Sequence, residues 1–317
     1  QTFSTILRLV ILLFVLFYAA VAHSQESRDT SYVGVFLKSL YDFSPAEYSF
    51  GADFYLWSNC TSSLPLFDQL EITNAKKIEE YSSFRDEDRK AFVSYKNCKV
   101  QLTHDWELSN YPFDKQRLRI NIEGQSSIEF IYLLKDKAGF EIADDLRIPG
   151  WEVEKFQVEE SFKFYRTDFG YRNTKFQERR FNHISFVVTI DRDSWDLYFK
   201  LFSGLYIAFF VSFLSFFIRP DFVDPRFGLS VGGLFASVAN KYVVDANIPA
   251  SISFSFVDKV HFLTFFYILG TLVLSSISLR LHTIGEVQKR KKIDRRAALI
   301  MLITYILLNI LLVLFVL

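Results

Sequence analysis

Cysteine, methionine and proline are scarce in this sequence, whose 317 residues include two cysteines, one methionine and seven prolines. No Cys-X-X-Cys motif and no Cys/His cluster with metal-ligand spacing occurs, so a structural zinc site is not expected. Cys60 and Cys98 both lie in a segment that the sequence predicts to be exported, where an oxidising compartment permits a disulfide. Sequence alone leaves a Cys60–Cys98 bridge and two free thiols equally open, because it does not show the distance between the two Cα atoms.

Net charge is also lacking. The chain carries 36 acidic and 36 basic side chains, which gives a formal net charge of zero at pH 7. A nucleic-acid partner is therefore not expected, since it requires a basic surface that neutralises phosphates. The sequence has no Ser/His/Asp or Cys/His arrangement, no phosphate-binding glycine loop and no paired-carboxylate motif. It therefore predicts neither an enzyme nor a bound cofactor or metal.

Apolar residues, which make up 50% of the chain, are concentrated at its start and after Leu197. Near the start, Arg8 precedes the apolar run LVILLFVLFYAAVA, and small residues close that run before the polar HSQES. This pattern is typical of a secretory signal peptide over residues 1–22, cleaved after Ala22. The alternative is an uncleaved anchor helix. In both cases the following domain, residues 25–194, is exported.

The exported segment has the pattern of a soluble domain made of β-strands. Short runs that alternate apolar and polar residues are separated by turn residues, as in RLRINI at 117–122. Alternation with a period of two is typical of half-buried strands. Roughly ten such runs predict an all-β, immunoglobulin-like sandwich. The compact loop NYPFD at 110–114, in which Pro112 removes a backbone donor, lies at one end of it.

Four long apolar segments follow and predict a transmembrane four-helix bundle over residues 195–317. The predicted spans are about 197–218, 226–247, 257–281 and 296–317. Basic residues cluster in the links after the first and third spans, and positive residues mark the cytoplasmic side of a membrane. The sequence therefore predicts a multi-pass membrane protein whose N-terminal domain and C-terminus both lie outside the cell or in the periplasm.

The second span is long enough to cross a bilayer but too polar to be surrounded by lipid. Polar side chains interrupt it at Arg226, Ser230, Ser237, Asn240, Lys241 and Asp245. Something other than lipid must face those side chains. Every third or fourth residue from Asp224 forms one stripe at helical spacing, which is the candidate pore face and is called the Asp224 stripe below. The stripe consists of Asp224, Gly228, Gly232, Phe235, Ala239, Tyr242 and Ala246.

Three motifs together resemble the pentameric ligand-gated ion channels, the Cys-loop receptor superfamily. They are the signature loop WELSNYPFDKQ at 106–116, the strand FVVTIDR at 186–192 that runs directly into the first span, and DANIP at 245–249. The resemblance covers the chain from about Ser31 onward and implies a homopentamer around a central pore in the plasma (inner) membrane. His104 and Leu118 stand where animal members have the loop cysteines, so the chain is similar to the bacterial branch.

The resemblance implies a cation-conducting pore. Asp224 would form a ring of carboxylates at the cytoplasmic mouth, which favours cations over anions. Phe235 is the candidate gate, and Tyr242 is a candidate second constriction. Pro225 and Arg226 argue against cation selectivity, because a proline and an arginine at these positions also occur in anion-selective relatives.

A second interpretation of the same span needs no pore. Gly228, Gly232 and Ala236 are spaced four apart, and small residues at that spacing allow helices to pack closely. The span also carries glycine where the family usually has hydroxyl residues along the inner pore. The alternative function is therefore a non-conducting, membrane-anchored module that senses an exported ligand.

The resemblance assigns the contact between the two domains to a small set of residues. They are Asp42, Glu47, Asp114, Arg192 and Pro249. In the family, the residues at the positions of Asp114 and Arg192 meet at the domain interface, where a shielded ion pair is worth more than an exposed one. From loop statistics alone, Asp114 would instead cap its own turn.

The agonist site implied by the resemblance lies between subunits, beneath a hairpin from about Tyr165 to Phe176. Its candidate residues are aromatic, and such rings enclose a cation by cation–π attraction. The candidates are Tyr55, Trp57, Tyr132, Tyr165, Phe169 and Tyr171. Protons are the alternative signal, although no cluster in the sequence singles out a sensor. The expected partners are identical subunits, the lipid bilayer, a small extracellular ligand or protons, and permeant ions.

Overall fold

A computed structural model describes residues 29–60, 70–86, 92–124, 131–167, 179–246 and 254–317. The segment predicted as a signal peptide, residues 1–22, lies outside the described residues, as do Phe169, Tyr171 and Pro249. Within the described part, a β-rich N-terminal domain is followed by four long helices. The last strand ends at Arg192 and the first of these helices begins at Ser194, so one domain leads directly into the other.

The β-rich domain consists of two sheets. Its described strands are β1 (Asp29–Ser44), β2 (Ser49–Cys60), β3 (Leu70–Ile72), β4 (Ala75–Asp86), β5 (Phe92–Thr103), β6 (Lys115–Gly124), β7 (Ile131–Ile142), β8 (Trp151–Tyr165) and β9 (Arg179–Arg192). Strands β4, β5, β2, β1 and β7 form a five-stranded sheet in that order, and β3, β6, β9 and β8 form a four-stranded sheet. Strands β1 and β7 pair in parallel, whereas the other described pairs are antiparallel.

Alternate side chains of the two sheets fill one core. On β6, Leu118, Ile120 and Ile122 are buried, while Arg119 and Asn121 between them are more exposed. Phe54 of β2 and Phe186 of β9 belong to the same apolar cluster, so the two sheets pack face to face. Burial of each such side chain stabilises the fold by about 1.5–3 kcal/mol. The period-two pattern in the sequence therefore corresponds to a sandwich.

Strand β4 has an unusual composition for a strand. Its sequence, AKKIEEYSSFRD, is rich in charged residues. The strand lies at the edge of the five-stranded sheet and pairs with β5. An edge strand can carry charged residues because one of its sides is not paired, and charge there discourages association with other chains. Its position in the sheet thus explains a strand whose composition resembles that of a loop.

Cys60 and Cys98 are buried, and no disulfide joins them. They lie on neighbouring strands, but Cys98 pairs with Phe54 and Cys60 pairs with Phe92. The offset from position 54 to position 60 along β2 corresponds to about 20 Å, whereas a disulfide needs Cα atoms within about 7 Å. The structure therefore contradicts the candidate Cys60–Cys98 bridge. Burial raises the pKa of the Cys98 thiol to about 12, which keeps this thiol protonated and unreactive.

The helical domain contains α1 (Ser194–Phe213), α2 (Val223–Asp245), α3 (Phe256–Thr283) and α4 (Val287–Leu314). A short 3₁₀ turn, Leu214–Phe217, follows α1. All four helices are long and apolar enough to cross a membrane. Helix α4 begins at Val287 rather than near residue 296, because the basic segment KRKKIDRR is made largely of good helix formers and continues the helix beyond its apolar part.

Aromatic rings fill much of the space between α1, α3 and α4. Phe209 of α1 stacks on Tyr305 of α4 with 3.7 Å between the ring centroids. Tyr305 also contacts Tyr267 of α3 at 5.1 Å. Helix α4 is nevertheless the least buried of the four. Most of its apolar surface faces outward, which suits a helix in contact with lipid.

Candidate functional site

The polar side chains of α2 lie mainly inside the helical domain. Arg226, Ser230 and Ser237 are fully buried. Gly233 lies on the same face, and a Cβ added there would come within 2.6 Å of the carbonyl oxygen of Ala208 in α1. Neighbouring helices of the same chain therefore face these polar residues, which is how a span too polar for lipid is accommodated. Sequence reasoning missed the role of Gly233, although its place among small residues at helical spacing is a signal for close helix contact.

Three groups hold the guanidinium of Arg226. It donates hydrogen bonds to Ser275 Oγ of α3 at 3.3 Å, to the carbonyl oxygen of Ile218 at 3.1 Å and to Asp294 Oδ1 of α4 at 3.3 Å. Asp294 also accepts a hydrogen bond from Ser278 at 2.8 Å. A buried charge needs such partners. The positive charge of Arg226 is thus directed into the helical domain.

The Asp224 stripe lies on a different face of α2. All of its residues are exposed in the single chain. Phe235 and Tyr242 are 70% and 73% exposed, and a Cβ added at Gly228 or Gly232 would meet no atom within 4 Å. The structure therefore brings the predicted stripe together on one continuous surface, which the described part of this chain leaves uncovered.

The C-terminal end of α2 is tied to α1 and α3. Lys241 forms an ion pair with Asp258 near the start of α3 at 2.7 Å. Asn240 donates a hydrogen bond to the carbonyl oxygen of Leu201 in α1 at 3.3 Å, and its Oδ1 atom lies 3.0 Å from Nε2 of the buried His261 in α3. A movement of this end of α2 would have to break or rearrange these contacts.

The signature loop inserts between the sandwich and the helices. The ring of Phe113 contacts Trp195 and Tyr198 of α1 at 5.4 and 5.7 Å, and Phe256 of α3 at 5.7 Å. The backbone N–H of Phe256, at the start of α3, donates a hydrogen bond to the carbonyl oxygen of Ser109 at 2.8 Å. The loop thereby satisfies a donor that the first turn of a helix leaves unpaired. One loop connects the sandwich to two helices.

Asp114 and Arg192 form a bidentate ion pair beside this contact. Arg192 Nε lies 2.6 Å from Asp114 Oδ1, and its Nη2 atom lies 3.0 Å from Oδ2. The side chains of Asp114 and Arg192 are 1% and 12% exposed. The guanidinium also lies over the rings of Trp151 and Tyr111, 3.9 and 4.9 Å from their centroids. The structure therefore brings together the two residues whose meeting the resemblance implies.

Gln116 connects this ion pair to His104, a link that sequence reasoning missed. Gln116 Nε2 donates hydrogen bonds to Asp114 Oδ2 at 2.7 Å and to the carbonyl oxygen of Glu107 at 2.8 Å. Its Oε1 atom accepts from the N–H of Glu107 and lies 3.2 Å from His104 Nε2, which is therefore the donor. Gln116 stands at an inward-facing position of β6. A polar residue in the buried phase of an alternating strand is the signal that could have identified it.

Two other residues predicted at the domain contact, Asp42 and Glu47, are exposed in the described part of the chain. Glu47 forms an exposed ion pair with Lys76 of β4 at 3.0 Å. Asp42 is exposed near the end of β1 and has a φ of 49°, a conformation that a short polar side chain tolerates better than most. The structure does not bring Asp42 or Glu47 to the bidentate ion pair.

Two aromatic residues predicted at the agonist site, Tyr132 and Tyr165, lie on opposite sides of the four-stranded sheet. Tyr132 is on β7, and Tyr165 is on β8. Tyr132 contacts Phe162 at 6.5 Å, and the guanidinium of Arg180 lies 4.5 Å over the ring of Phe162. Tyr165 contacts the buried Phe181 at 5.2 Å. Side chains three positions apart on a strand point to opposite faces, so Tyr165 and Phe162 do not share a surface. Sequence reasoning missed Phe162 and Arg180, although both lie in alternating strands beside the predicted hairpin.

Tyr55 and Trp57 lie on the five-stranded sheet. The ammonium of Lys38 lies 4.4 Å over the ring of Tyr55 and forms an ion pair with Asp53 at 2.5 Å. Trp57 donates a hydrogen bond from Nε1 to Asp136 Oδ2 at 3.1 Å. A lysine of the chain itself therefore occupies the aromatic face that a cationic ligand would use.

Burial lowers the pKa of His104 below its usual value. A histidine whose pKa is lower in the folded state than in the unfolded state binds fewer protons when folded, so the fold is most stable while the ring is neutral. This stability is complete above the unfolded pKa of about 6.5 and is lost as the pH falls through the folded pKa. We expect His104→Leu to reduce the loss of thermal stability between about pH 7 and pH 5. At neutral pH the variant should be about 1 kcal/mol less stable, because Gln116 loses a hydrogen bond. Thermal unfolding in detergent measures both effects, and identical pH slopes for the two proteins would contradict this prediction.

The side chains of α2 and those at the contact between the two domains interact through charges, hydrogen bonds and ring contacts. Within the described residues, no group of three or more His, Cys, Asp or Glu side chains could hold a metal ion.

No family model matches this chain, and no curated protein matches it.

Proposed function

We propose that this chain is one subunit of a homopentameric, cation-conducting channel that an external ligand or protons open. The observation that carries the proposal is the division of α2 into a buried polar face and an exposed stripe. A membrane-spanning surface of glycine, alanine and a carboxylate suits lipid poorly, since a charge in hydrocarbon is costly. Identical subunits arranged around an axis would cover this surface. The Asp224 stripe would then line a water-filled path.

The charges at the N-terminal end of α2 support cation conduction. Asp224 is exposed, whereas Arg226 is fully buried and paired with Asp294. Copies of Asp224 would form a ring of negative charge, which lowers the energy of cations and raises that of anions. The arginine that argued for anion conduction from sequence points away from this ring and has its own counter-ion.

The signature loop supports a mechanical link from the sandwich to the pore. Phe113 and the Ser109 carbonyl contact α1 and α3, and both helices contact α2 through Asn240. A displacement of the sandwich would therefore reach α2 through side chains in direct contact. For activation by protons, the hydrogen bonds from His104 through Gln116 to Asp114 provide a route from a titratable ring to the same junction.

The second candidate function is the non-conducting sensory module. The observation that favours it is the small, exposed surface at Gly228, Gly232 and Ala236. Small residues allow α2 helices of neighbouring subunits to approach closely without leaving a water path. The two functions differ in whether reconstituted protein passes current.

We expect Asp224→Asn to weaken cation selectivity. The wild-type protein, reconstituted in a planar bilayer under a KCl gradient, should reverse near the potassium equilibrium potential, and the variant should reverse closer to zero because the ring of charge is lost. Asp221→Asn is the matched control, since it removes an exposed carboxylate that precedes α2 and pairs with Arg219. An unchanged reversal potential in Asp224→Asn would contradict the assigned ring. The absence of current under every pH and ligand tried, together with a non-pentameric particle in electron micrographs, would contradict the channel itself.

A further inference from the structure

A groove lies between the end of α1 and the first turns of α4. Its volume is about 630 Å³. The 3₁₀ turn contributes Phe216 and Phe217 to one wall, and α4 contributes Leu299 and Leu302 to the other. Phe217 is 73% exposed and Leu299 is 60% exposed. The groove therefore opens on the outer surface of the helical domain, where lipid would meet it.

Three cationic side chains of α4 line this groove, which is called the basic groove below; Arg219, which follows the 3₁₀ turn, also lines it but is paired with Asp221. The three of α4 are Arg290, Lys291 and Arg295, and none of them forms an ion pair within the described residues. The Nε atom of Arg290 is buried and has no hydrogen-bond partner in that part of the chain. The carboxylate in the wall, Asp294, is already paired with Arg226 at 3.3 Å. The basic groove thus has an excess of positive charge and an unsatisfied buried donor.

Cationic and apolar residues follow one another along the face of α4 that borders the basic groove. Lys291, Arg295, Leu299 and Leu302 occur at intervals of four, four and three residues, which places them on one side of the helix. The distance along the axis from Arg295 to Leu302 is about 10 Å. A ligand that fits this order has an anionic group at one end and a hydrocarbon chain extending from it.

We propose that the basic groove binds an anionic phospholipid. The phosphate accepts hydrogen bonds from Arg290, Lys291 and Arg295, and one acyl chain lies against Phe217 and Leu299. A zwitterionic phospholipid would leave the excess positive charge uncompensated, and a free phosphate would leave the apolar walls unused. This inference requires that the helices lie in a membrane, but it does not depend on the channel function.

The test compares two triple variants that remove the same charge from the same helix. The first, Arg290→Gln/Lys291→Gln/Arg295→Gln, changes the basic groove, and the second, Lys289→Gln/Lys292→Gln/Arg296→Gln, changes exposed positions of α4 that do not line it. Native mass spectrometry of delipidated protein titrated with phosphatidylglycerol measures the bound lipid. We expect the first variant to bind at least about tenfold more weakly than wild type and the second to bind within about twofold of it.

Further measurements distinguish binding at the basic groove from a general attraction of anionic lipid to basic residues. Equal losses in both triple variants, or no loss in the first, would overturn the proposal. Phosphatidylcholine should bind measurably more weakly than phosphatidylglycerol, and soluble glycerol phosphate should not displace the lipid; displacement would indicate a site for free phosphate instead. Ala298→Trp, which fills the basic groove without changing charge, should also weaken binding. This variant keeps the test decisive if the first triple variant does not fold.

Discussion

Phe235→Ala is expected to give a standing leak current roughly tenfold or more above that of the wild-type protein in the absence of ligand. Phe235 is the largest side chain on the Asp224 stripe between Gly228 and Ala239 and is 70% exposed in the single chain. A ring of aromatic side chains can keep a narrow pore free of water, and its removal lets water and ions enter. After the substitution, only Tyr242 would remain as a bulky group on the stripe.

The fold should tolerate this substitution, because a largely exposed side chain contributes little to the stability of the subunit. We expect a change within about 0.5 kcal/mol for the isolated fold. Phe266→Ala is the matched control, since it removes the same ring from a position on α3 that is 65% exposed and lies outside the stripe. Ion flux into proteoliposomes and bilayer currents without ligand measure the leak. If Phe235→Ala assembles normally and does not leak, the sensory module becomes the better interpretation.

The stripe and the sandwich could be predicted from the sequence because both depend on simple periodicity. Residues three or four apart from Asp224 share one face of any helix, so the position of Phe235 and Tyr242 on one surface follows from spacing alone. Likewise, Leu118 and Ile120 alternate with charged residues, which is sufficient to place β6 in a half-buried sheet. Periodicity identifies the faces of an element but not what each face contacts.

Contacts between distant residues could not be predicted for that reason. The sequence marks Arg226 as a polar interruption of a span, but its burial depends on Asp294, which a different helix supplies. The candidate Cys60–Cys98 bridge failed because two neighbouring strands can pair in many registers, and the one adopted separates the thiols. Gln116 is similar, since its four hydrogen-bonded contacts are with His104, Glu107 and Asp114 of the loop that precedes its strand. Register and tertiary packing decide these contacts.

Arg192→Met and Asp114→Asn are each expected to destabilise the folded subunit by about 3–5 kcal/mol, because each leaves the other member of a buried ion pair without its counter-charge. Arg192→Met also loses the two ring contacts with Trp151 and Tyr111. Arg192→Lys keeps the charge but not the bidentate geometry, so its effect should lie between that of Arg192→Met and that of wild type. Thermal and chemical unfolding of the detergent-solubilised protein measure these changes.

Lys115→Met provides the matched control. Lys115 directly follows Asp114, and its ammonium contacts Glu154 and Asp191 at 3.2 and 3.1 Å, but these side chains are exposed. Water and salt screen such surface pairs, so we expect a much smaller effect than for Arg192→Met. Comparable losses in the two variants would show that burial does not set the strength of the Asp114–Arg192 pair.

The double variant Asp114→Asn/Arg192→Met distinguishes a structural role of this ion pair from a role in transmission. Without an unpaired buried charge, it should be more stable than either single variant, giving a coupling energy of at least about 3 kcal/mol in a double-mutant cycle. If the ion pair transmits movement from the sandwich to α1, the double variant should assemble but respond weakly to the ligand or pH change that opens the wild type. A double variant with restored stability and a wild-type response would limit the pair to holding the fold together. Phe113, through its contacts with Trp195 and Phe256, would then be a candidate for the transmitting residue between the two domains.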